Sequence, residues 1–383
     1  MRFMASGVVV ASLLFGAAGL ASATQPKATQ EMLKQLKLDP SILGNLDQEL
    51  RVPPQWLEMA RKEGKVWMRG TPATPTELTR LFAPFKERYP FIEIEYFGSN
   101  QEDRTIKTLV SYRAGKVVAD LLESIAGYFE EYRKAGALED MRDIPNVNNL
   151  PVEGKAADGL WAGRYVLYWC MAYNTQKVKK TDLPKTWDDL LKNPKWRGGN
   201  LALGNRPQLA WVNVAKAKGP DWMKTFFERL FTEVKPQLRK EGMNALPQLL
   251  AAGEFEAVIP VSYRRAYEMV LERAPVGFTC PEPVPGSFSD MVMMKRAPHP
   301  YAAKVLMNWL LSKEGQIAYY YASYYAPIHK DLQRREFIPF AEEIIGRKAS
   351  FWYKGEGAGE RELEAKLFAL WNPLWLGGAK KIR

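Results

Sequence analysis

Short apolar runs alternate with amphipathic stretches between residues 65 and 135. The runs Val66–Met68 and Val117–Leu122 and the alternating stretch 91–97 have the pattern of strands. Between them, Thr74 and Glu77 have the spacing of a capping box, which marks the start of a helix. Strands that alternate with helices predict an α/β layer, a mostly parallel sheet flanked by helices. In such a layer, the loops at the carboxyl ends of the strands form the ligand crevice.

The same alternation begins again near residue 160. Strand patterns then occur at Tyr165–Tyr173, Leu201–Leu203, Glu256–Ser262 and Val276–Cys280, with helical patterns between them. After residue 281 the chain continues with a further strand and further helices. The sequence therefore predicts an α/β fold of two units. We expect residues 24–160 and 281–383 to form one unit and residues 161–280 to form the other.

The first 23 residues have the pattern of a secretory signal peptide. Arg2 supplies a positive charge, residues 8–20 are apolar or small apart from Ser12, and Ala21-Ser22-Ala23 matches a cleavage site. The apolar segment of about 13 residues is shorter than the roughly 20 that cross a bilayer as a helix. This favours cleavage over the alternative, a membrane anchor. We therefore expect export to the periplasm and removal of residues 1–23.

Cys170 and Cys280 are the two cysteines of the chain, and each lies in an apolar strand pattern. Export would place them in an oxidising compartment, where disulfides persist. Their spacing along the sequence does not decide whether they pair. A single disulfide and a pair of buried thiols that act as small apolar side chains both stay open.

The composition excludes several classes of protein. The 383 residues are 46% hydrophobic and 25% charged, which is ordinary for a globular protein. Two cysteines and two histidines are too few for a multi-Cys/His metal cluster. The net charge of +11 is spread along the chain and argues at most for anionic ligands or surfaces. Nucleic acid is a poor partner for an exported chain.

The common motifs of catalysis and cofactor binding do not occur in the sequence. It lacks a phosphate-binding glycine loop, a G-x-S-x-G nucleophile turn and an H-E-x-x-H zinc motif. A Ser–His–Asp triad would need His299 or His329, and the prolines near both favour surface turns. The five tyrosines within residues 319–325 could form a metal or sugar site, but their spacing favours packing. We therefore expect a protein that is not an enzyme and needs no cofactor.

Seven short strings occur between about residues 65 and 325. They are Lys65–Thr71, Glu87–Pro90, Ala119–Leu122, Ala172–Thr175, Asn193–Trp196, Ala251–Glu254 and Lys313–Gln316. In this order and spacing they resemble the type II periplasmic solute-binding proteins of ABC importers. More narrowly, they resemble the branch that contains the ferric-ion-binding proteins. Residues 24–64 and 335–383 lie outside the resemblance.

The resemblance implies two lobes that are joined by a strand hinge and close on a ligand between them. It also implies an inner-membrane permease that recognises the closed form. We therefore expect a monomer whose partners are a small-molecule ligand and this permease. Two alternatives stay open, namely the ligand-binding subunit of a sensor with the same fold and, more remotely, a secreted hydrolase.

The resemblance breaks down at the metal site of the ferric-ion-binding proteins. Those proteins typically place a His after the first strand, a carboxylate after the third strand and a Tyr pair after a later strand. Here Pro72 stands at the His position, and Ile125 stands near the carboxylate position with Glu123 two residues away. Ser262-Tyr263 replaces the Tyr pair and is followed by two arginines. Because Fe(III) needs several anionic oxygens, we expect an anionic organic ligand and no metal residues, with ferric iron as the alternative.

Arginines follow the strands at the edge where the ligand is expected. Arg264 begins a helix just after a strand, where free N–H groups and the helix dipole favour an anion. Its guanidinium could bind a carboxylate or phosphonate through two hydrogen bonds, or Arg264 and Arg265 are solvated helix-start residues. Arg206 follows the strand Leu201–Leu203 at the same edge. The candidate ligand-binding residues, including the apolar walls Trp161 and Tyr263, are Gly70, Thr71, Ser99, Asn100, Ser124, Trp161, Asn205, Arg206, Tyr263, Arg264 and Arg265.

Overall fold

The computed structural model describes residues 25–125, 127–243, 245–334, 336–337, 349–352 and 358–380. The predicted signal peptide, residues 1–23, lies outside the described residues. In chain order the elements are α1 (Lys27–Leu36), α2 (Leu46–Glu49), α3 (Pro54–Glu63), β1 (Lys65–Gly70), α4 (Pro75–Arg88), β2 (Glu93–Gly98), α5 (Thr108–Arg113), β3 (Leu121–Glu123), α6 (Phe129–Lys134), β4 (Ala162–Asn174), α7 (Asp189–Lys192), β5 (Leu201–Gly204), α8 (Trp211–Lys218), α9 (Pro220–Arg229), β6 (Gln237–Arg239), α10 (Leu246–Ala251), β7 (Ala257–Ser262), α11 (Tyr263–Leu271), β8 (Val276–Thr279), β9 (Val284–Met293), α12 (Pro300–Leu310), α13 (Lys313–Ser323), β10 (Ala349–Trp352) and α14 (Ala358–Lys380).

The strands form two connected sheets. In the first sheet the order is β2-β1-β3-β9-β4, with β10 beside β9. In the second sheet the order is β4-β7-β5-β6, with β8 also paired to β4. The pairs β1–β2, β1–β3, β5–β6 and β5–β7 are parallel, whereas the pairs that involve β4 are antiparallel. The predicted α/β architecture of sheets flanked by helices is confirmed.

Strand β4 belongs to both sheets. Residues 162–168 pair with β9, whereas residues 169–173 pair with β7 and residues 171–174 pair with β8. Cys170 and Cys280 form a disulfide at this junction, with their Cα atoms 4.4 Å apart. The chain returns to the first sheet directly after Cys280, between β8 and β9. The two sheets are therefore linked by two neighbouring strand connections.

The capping box at the start of α4 forms as predicted. The Thr74 hydroxyl accepts a hydrogen bond from the Glu77 N–H at 3.2 Å, and Glu77 Oε2 accepts one from the Thr74 N–H at 2.7 Å. Pro75 at the first helical position needs no such partner because it has no N–H. These contacts fix the first turn of α4 directly after the loop that follows β1.

The N-terminal helices pack against helices that flank the first sheet. Helix α1 packs on α4 and α13, and helix α3 packs on α12. The buried carboxylate of Glu314 ties these elements together. It accepts hydrogen bonds from the Thr29 hydroxyl at 2.5 Å, from Arg88 Nε at 2.6 Å and from the Trp309 indole at 2.7 Å. Residues 27–63 are therefore packed onto the helices that flank the first sheet.

The last helix, α14, packs against α8, α9 and β6 of the second sheet. Its side chains Leu367, Trp371 and Trp375 are buried in the apolar core of that unit. We therefore propose that residues 358–380 belong with residues 161–280, although the sequence pattern favoured the first unit. None of the described helices, α14 included, is long and apolar enough to cross a membrane.

Candidate functional site

A buried ion pair lies at the carboxyl end of β3. Glu123 ends β3 and is fully buried, and Arg164 of β4 is only 2% exposed. Arg164 Nη1 pairs with Glu123 Oε1. The Tyr319 hydroxyl donates to the same oxygen at 2.7 Å, and the Tyr96 hydroxyl lies 3.2 Å from Oε2. Three partners therefore surround one carboxylate, as a buried charge requires.

Strand β1 approaches this carboxylate through Gly70. A Cβ atom at residue 70 would lie 2.1 Å from the Tyr96 hydroxyl and 2.3 Å from Glu123 Oε2, so a side chain does not fit there. The carbonyl oxygen of Thr71 accepts a hydrogen bond from the Tyr96 hydroxyl at 2.6 Å. The predicted residues Gly70 and Thr71 therefore lie at the ion pair and shape its surroundings with backbone atoms.

Four side chains form a continuous stack that runs from this ion pair to the second unit. The Arg164 guanidinium lies 4.4 Å from the centroid of the Tyr165 ring. The rings of Tyr165 and Tyr325 stack with their centroids 3.8 Å apart and their planes 10° apart. The Arg264 guanidinium lies 4.6 Å from the centroid of the Tyr325 ring. Two guanidinium groups therefore lie on opposite sides of two stacked phenols, in cation–π contact with them.

The phenols of this cluster differ in their acidity. Burial raises the pKa of Tyr319 well above its ordinary value. Burial alone would also raise the pKa of Tyr165, but the charge of Arg164 and a hydrogen bond with Ser289 lower this pKa below its ordinary value. Negative charge is therefore better stabilised at the Tyr165 oxygen than at the Tyr319 oxygen.

Arg264 connects the start of α11 to the end of α13 and to α4. Its Nε group donates to the Ser323 carbonyl at 2.5 Å. Its Nη2 group pairs with Glu268 Oε1 at 2.7 Å and lies 3.8 Å from Glu77 Oε1. The side chain is only 21% exposed. Arg264 is therefore partly buried and paired at the start of α11, and it is not fully solvated.

The neighbours of Arg264 on α11 differ in where they point. Tyr263 is fully buried, and its hydroxyl donates to the Tyr324 carbonyl at 2.8 Å. Arg265 pairs with Glu268 within α11 at 2.9 Å. Tyr263 and Arg264 therefore both hold the chain where it leaves α13, whereas this contact keeps Arg265 on its own helix.

The loop after β5 lies in a different environment. The side chain of Arg206 is exposed. Asn205 Oδ1 accepts a hydrogen bond from the Trp371 indole of α14 at 2.9 Å. The structure therefore places Asn205 against the last helix, and neither residue of this loop lines the cavities beside Arg264 that are described below.

The predicted polar residues of the first unit differ in how their side chains are used. The Ser99 carbonyl accepts from the Arg104 guanidinium at 2.7 Å, but the buried Ser99 hydroxyl has no hydrogen-bond partner among the described residues. The side-chain oxygen of Asn100 accepts the N–H of the residue three positions later, at 2.9 Å. The Ser124 and Ser289 hydroxyls lie 2.9 Å apart. These residues support the loops beside the Glu123 ion pair.

Trp161 does not form an apolar wall of a cleft. It is 1% exposed and packs against Phe288 with ring centroids 6.4 Å apart, because the start of β4 pairs with β9 inside the first sheet. Ile125 is also fully buried, and its N–H donates to Asp290 Oδ2 at 2.9 Å. The carboxylate that reaches the cluster of phenols is therefore Glu123, two residues earlier.

Two cavities adjoin the side chain of Glu77. The inner cavity has a volume of about 40 Å³ and is lined by Thr71, Pro72, Ala73, Glu77, Leu78, Leu81, Tyr96, Arg164, Tyr319, Ala322, Ser323 and Tyr325. The outer cavity opens to solvent, has a volume of about 590 Å³ and is lined by Thr74, Glu77, Arg264, Arg265, Glu268, Leu271, Glu272 and Tyr324. Glu77 lines both cavities and is the residue that they share.

Sequence reasoning missed Arg164 and Tyr165 as site residues, and it favoured packing for Tyr325, one of the five tyrosines within residues 319–325. A signal for Arg164 is present, because it is a charged residue at the start of the apolar run Tyr165–Tyr173. Glu123 likewise ends the apolar run that forms β3. Charged residues are rarely fully buried unless they are paired, so two such positions at strand ends indicate an ion pair.

The family model for bacterial extracellular solute-binding proteins matches residues 80–343 of this chain. The match covers more than half of the sequence, and the chain belongs to this family. Among curated proteins, no sequence matches the chain. The predicted resemblance to periplasmic solute-binding proteins of ABC importers is confirmed by the family and by the solved structures described next.

Solved structures share the fold at low sequence identity. Iron-bound HitA from Pseudomonas aeruginosa is 17% identical, with a TM-score of 0.62 over 80% of this chain and 99% of that chain. Trichodesmium FutA, in complex with iron and citrate, is 16% identical, with a TM-score of 0.64 over 81% of this chain and 99% of that chain. AfuA from Actinobacillus pleuropneumoniae, with bound fructose-6-phosphate, is 18% identical, with a TM-score of 0.59 over 80% of this chain and 97% of that chain. The shared feature is the architecture of a periplasmic binding protein.

Proposed function

We propose that this chain is the periplasmic solute-binding component of an ABC importer. It captures a small anionic organic solute between its two units and delivers the solute to the inner-membrane permease. The family supports the solute-binding role, and the signal-peptide pattern of residues 1–23 supports export. The proposal needs neither catalysis nor a cofactor, and it treats the chain as a monomer.

The observation that carries the proposal is the position of Arg264. This guanidinium extends from the start of α11 in the second unit and contacts Ser323 and Tyr325 in the first unit. Its contact with Glu77 is long, at 3.8 Å, whereas its pair with Glu268 is close, at 2.7 Å, so an anionic solute in the outer cavity would compete with both carboxylates for this guanidinium. A solute held by Arg264 and by the first unit favours the closed arrangement, because it binds that arrangement better.

The solved relatives are consistent with an anionic solute. The FutA structure contains citrate together with iron, and the AfuA structure contains fructose-6-phosphate. Both organic molecules carry carboxylate or phosphate oxygens, which are the groups that a guanidinium binds through paired hydrogen bonds.

The experiment is a ligand screen of the mature protein by thermal shift, followed by isothermal titration calorimetry. The screen contains carboxylates, phosphonates, sugar phosphates, Fe(III) and Fe(III)–citrate. We expect stabilisation by one class of organic anion. Stabilisation by Fe(III) alone would overturn the assignment of the ligand class.

Replacing Arg264 by Ala should weaken binding of the organic anion found in the screen. Loss of a charge-assisted hydrogen bond costs about 1.5–3 kcal/mol, which raises the Kd about 10- to 150-fold. Arg229→Ala is the matched control, because Arg229 forms the same helical i,i+4 ion pair, with Glu233, on α9. An unchanged Kd in Arg264→Ala would show that this arginine does not hold the solute.

One observation favours ferric iron as a second candidate. The oxygens of Tyr96 and Tyr319 meet at Glu123, and the stacked rings of Tyr165 and Tyr325 lie beside them. Such oxygens are hard donors that suit Fe(III). The guanidinium of Arg164 in the middle of this group repels a trivalent cation, so we favour the organic anion. A phenolate-to-iron charge-transfer band on addition of Fe(III) without citrate would support iron instead.

A further inference from the structure

The ion pair between Glu123 and Arg164 is hard to explain by stability alone. Both side chains are almost completely buried, and removing two charges from water costs about as much as their attraction returns. The pair lies where β1 and β3 end, which is the edge at which α/β sheets bind ligands. A role in ligand binding would explain why charge is kept at this position.

Arg164 retains hydrogen-bonding capacity after it pairs with Glu123. Its buried Nε group has no hydrogen-bond partner among the described residues. An unpaired buried donor is costly, and a ligand oxygen is one way to satisfy it. Arg164 also lines the inner cavity, together with Tyr96, Tyr319 and Tyr325.

The inner cavity is too small for a whole organic solute. Its volume is about 40 Å³, whereas organic ligands occupy clefts of roughly 300–1,000 Å³. The inner cavity therefore suits one polar end of a molecule, and the outer cavity of about 590 Å³ can hold the rest.

Each of the two cavities is lined by one of the two arginines of the stack. Arg164 lines the inner cavity and Arg264 lines the outer one. They lie at opposite ends of the Tyr165–Tyr325 stack, so two phenol rings separate their charges. A solute that spans both cavities would meet a guanidinium at each end.

We propose that the solute is an organic dianion of the dicarboxylate type, with one acidic group at Arg264 and the second at Arg164. The inference rests on the proposed function and specifies its ligand class. Glu77 lines both cavities, and its oxygens are held by the Thr74 N–H at 2.7 Å and the Ser323 hydroxyl at 3.2 Å. Glu268 and Glu272 also line the outer cavity, and Glu268 pairs with Arg264 and Arg265. The negative charge of Glu77 adds to theirs in opposing the dianion, so neutralising it should strengthen binding.

The test compares acids of equal chain length by isothermal titration calorimetry on the mature protein. The probes are butanoate against succinate and pentanoate against glutarate. We expect the diacids to bind at least about 10-fold more tightly, because each adds a charge-assisted contact with Arg164. Equal binding of monoacids and diacids would overturn the dianion and leave the proposed function standing. Absence of binding by all four acids would overturn the dicarboxylate, while the wider screen decides the proposed function.

Two variants then assign the second acidic group. Arg164→Lys keeps a positive charge beside Glu123 but loses the Nε–H, so it should lower the ratio of diacid affinity to monoacid affinity. Glu77→Gln keeps a side chain that can cap α4 and should tighten diacid binding about 3- to 10-fold. If Arg164→Lys does not fold, the wild-type series and Glu77→Gln still decide the proposal. Weaker diacid binding in Glu77→Gln, or an unchanged diacid preference in folded Arg164→Lys, would contradict it.

Discussion

His329 is a fully buried histidine among charged groups. Its Nδ1 atom accepts a hydrogen bond from the Asp331 N–H at 3.1 Å, and its Nε2 atom lies 3.6 Å from Glu49 Oε1. Lys313 pairs with the same Glu49 oxygen at 3.1 Å. The sequence predicts a surface turn here, and this is wrong because the side chain is fully buried beside Glu49 of α2. A histidine enclosed in this way is difficult to protonate.

The burial of His329 predicts a stability that depends on pH. Burial lowers the pKa of His329 from 6.5 to about 4. Because the unfolded chain takes up this proton at higher pH than the folded chain, the free energy of unfolding falls as the pH drops from about 6.5 towards 4. The loss is at most about 3 kcal/mol.

Urea unfolding of the wild type and of His329→Gln between pH 4 and pH 7 measures this effect. The difference between the two curves isolates His329, because Glu49, whose pKa is raised by burial, contributes to both. The wild type should lose stability more steeply than the variant over this range. Parallel curves would show that His329 does not titrate below its ordinary pKa.

Residues far apart in the sequence form the candidate site, and this limits what the sequence can predict. The arginine at the start of α11 could be predicted, because a strand followed by a helix start is a local pattern. The pairing of Glu123 with Arg164 could not, because it depends on β9 lying between β3 and β4 in the first sheet. Tyr325 belongs to a tyrosine cluster that is visible in the sequence, but its stacking on Tyr165 depends on the course of the chain after α13.

At the scale of elements, α14 is the longest of the described helices and lies outside the region that matches the family model. It begins at Ala358, beyond residue 343, and covers the second unit. Trp371 is fully buried, contacts Phe227 and Phe231 edge-on and stacks on Trp375. This helix therefore completes the apolar core of the second unit.

Trp371→Ala should strongly destabilise the protein. Removing a buried Trp side chain leaves a cavity and costs about 3–5 kcal/mol of the free energy of unfolding. Leu376→Ala on the same helix is the control, because Leu376 is 62% exposed and should change the stability by less than about 0.5 kcal/mol. Chemical unfolding of the two variants gives the comparison. Similar stabilities would show that α14 is not part of the core.

Most strands and the start of α4 could be predicted from local patterns. The run Val66–Met68 lies within β1, the stretch 91–97 overlaps β2, and Tyr165–Tyr173 lies within β4. Apolar periodicity is a local property, so it survives in the fold. The packing of α14 on the second unit could not be predicted, because an amphipathic helix does not show which surface it covers.

At the scale of the whole molecule, the two sheets are linked by β4 and by the segment between β8 and β9. The disulfide between Cys170 and Cys280 joins these two connections where β4 changes from one sheet to the other. Away from this junction, Arg264 and Tyr263 link α11 to the end of α13. If the protein closes on a solute between α4 and α11, we expect the sheets to stay joined at the β4 junction and the α11–α13 contacts to hold the closed arrangement.

Native mass spectrometry of the protein purified from its own periplasm tests this function most directly. We expect an added mass equal to one small organic acid, which should be absent from Arg264→Ala and present in the control Arg229→Ala. An added mass of iron alone, a neutral sugar, or the same organic adduct in Arg264→Ala would contradict the capture of an organic anion by Arg264.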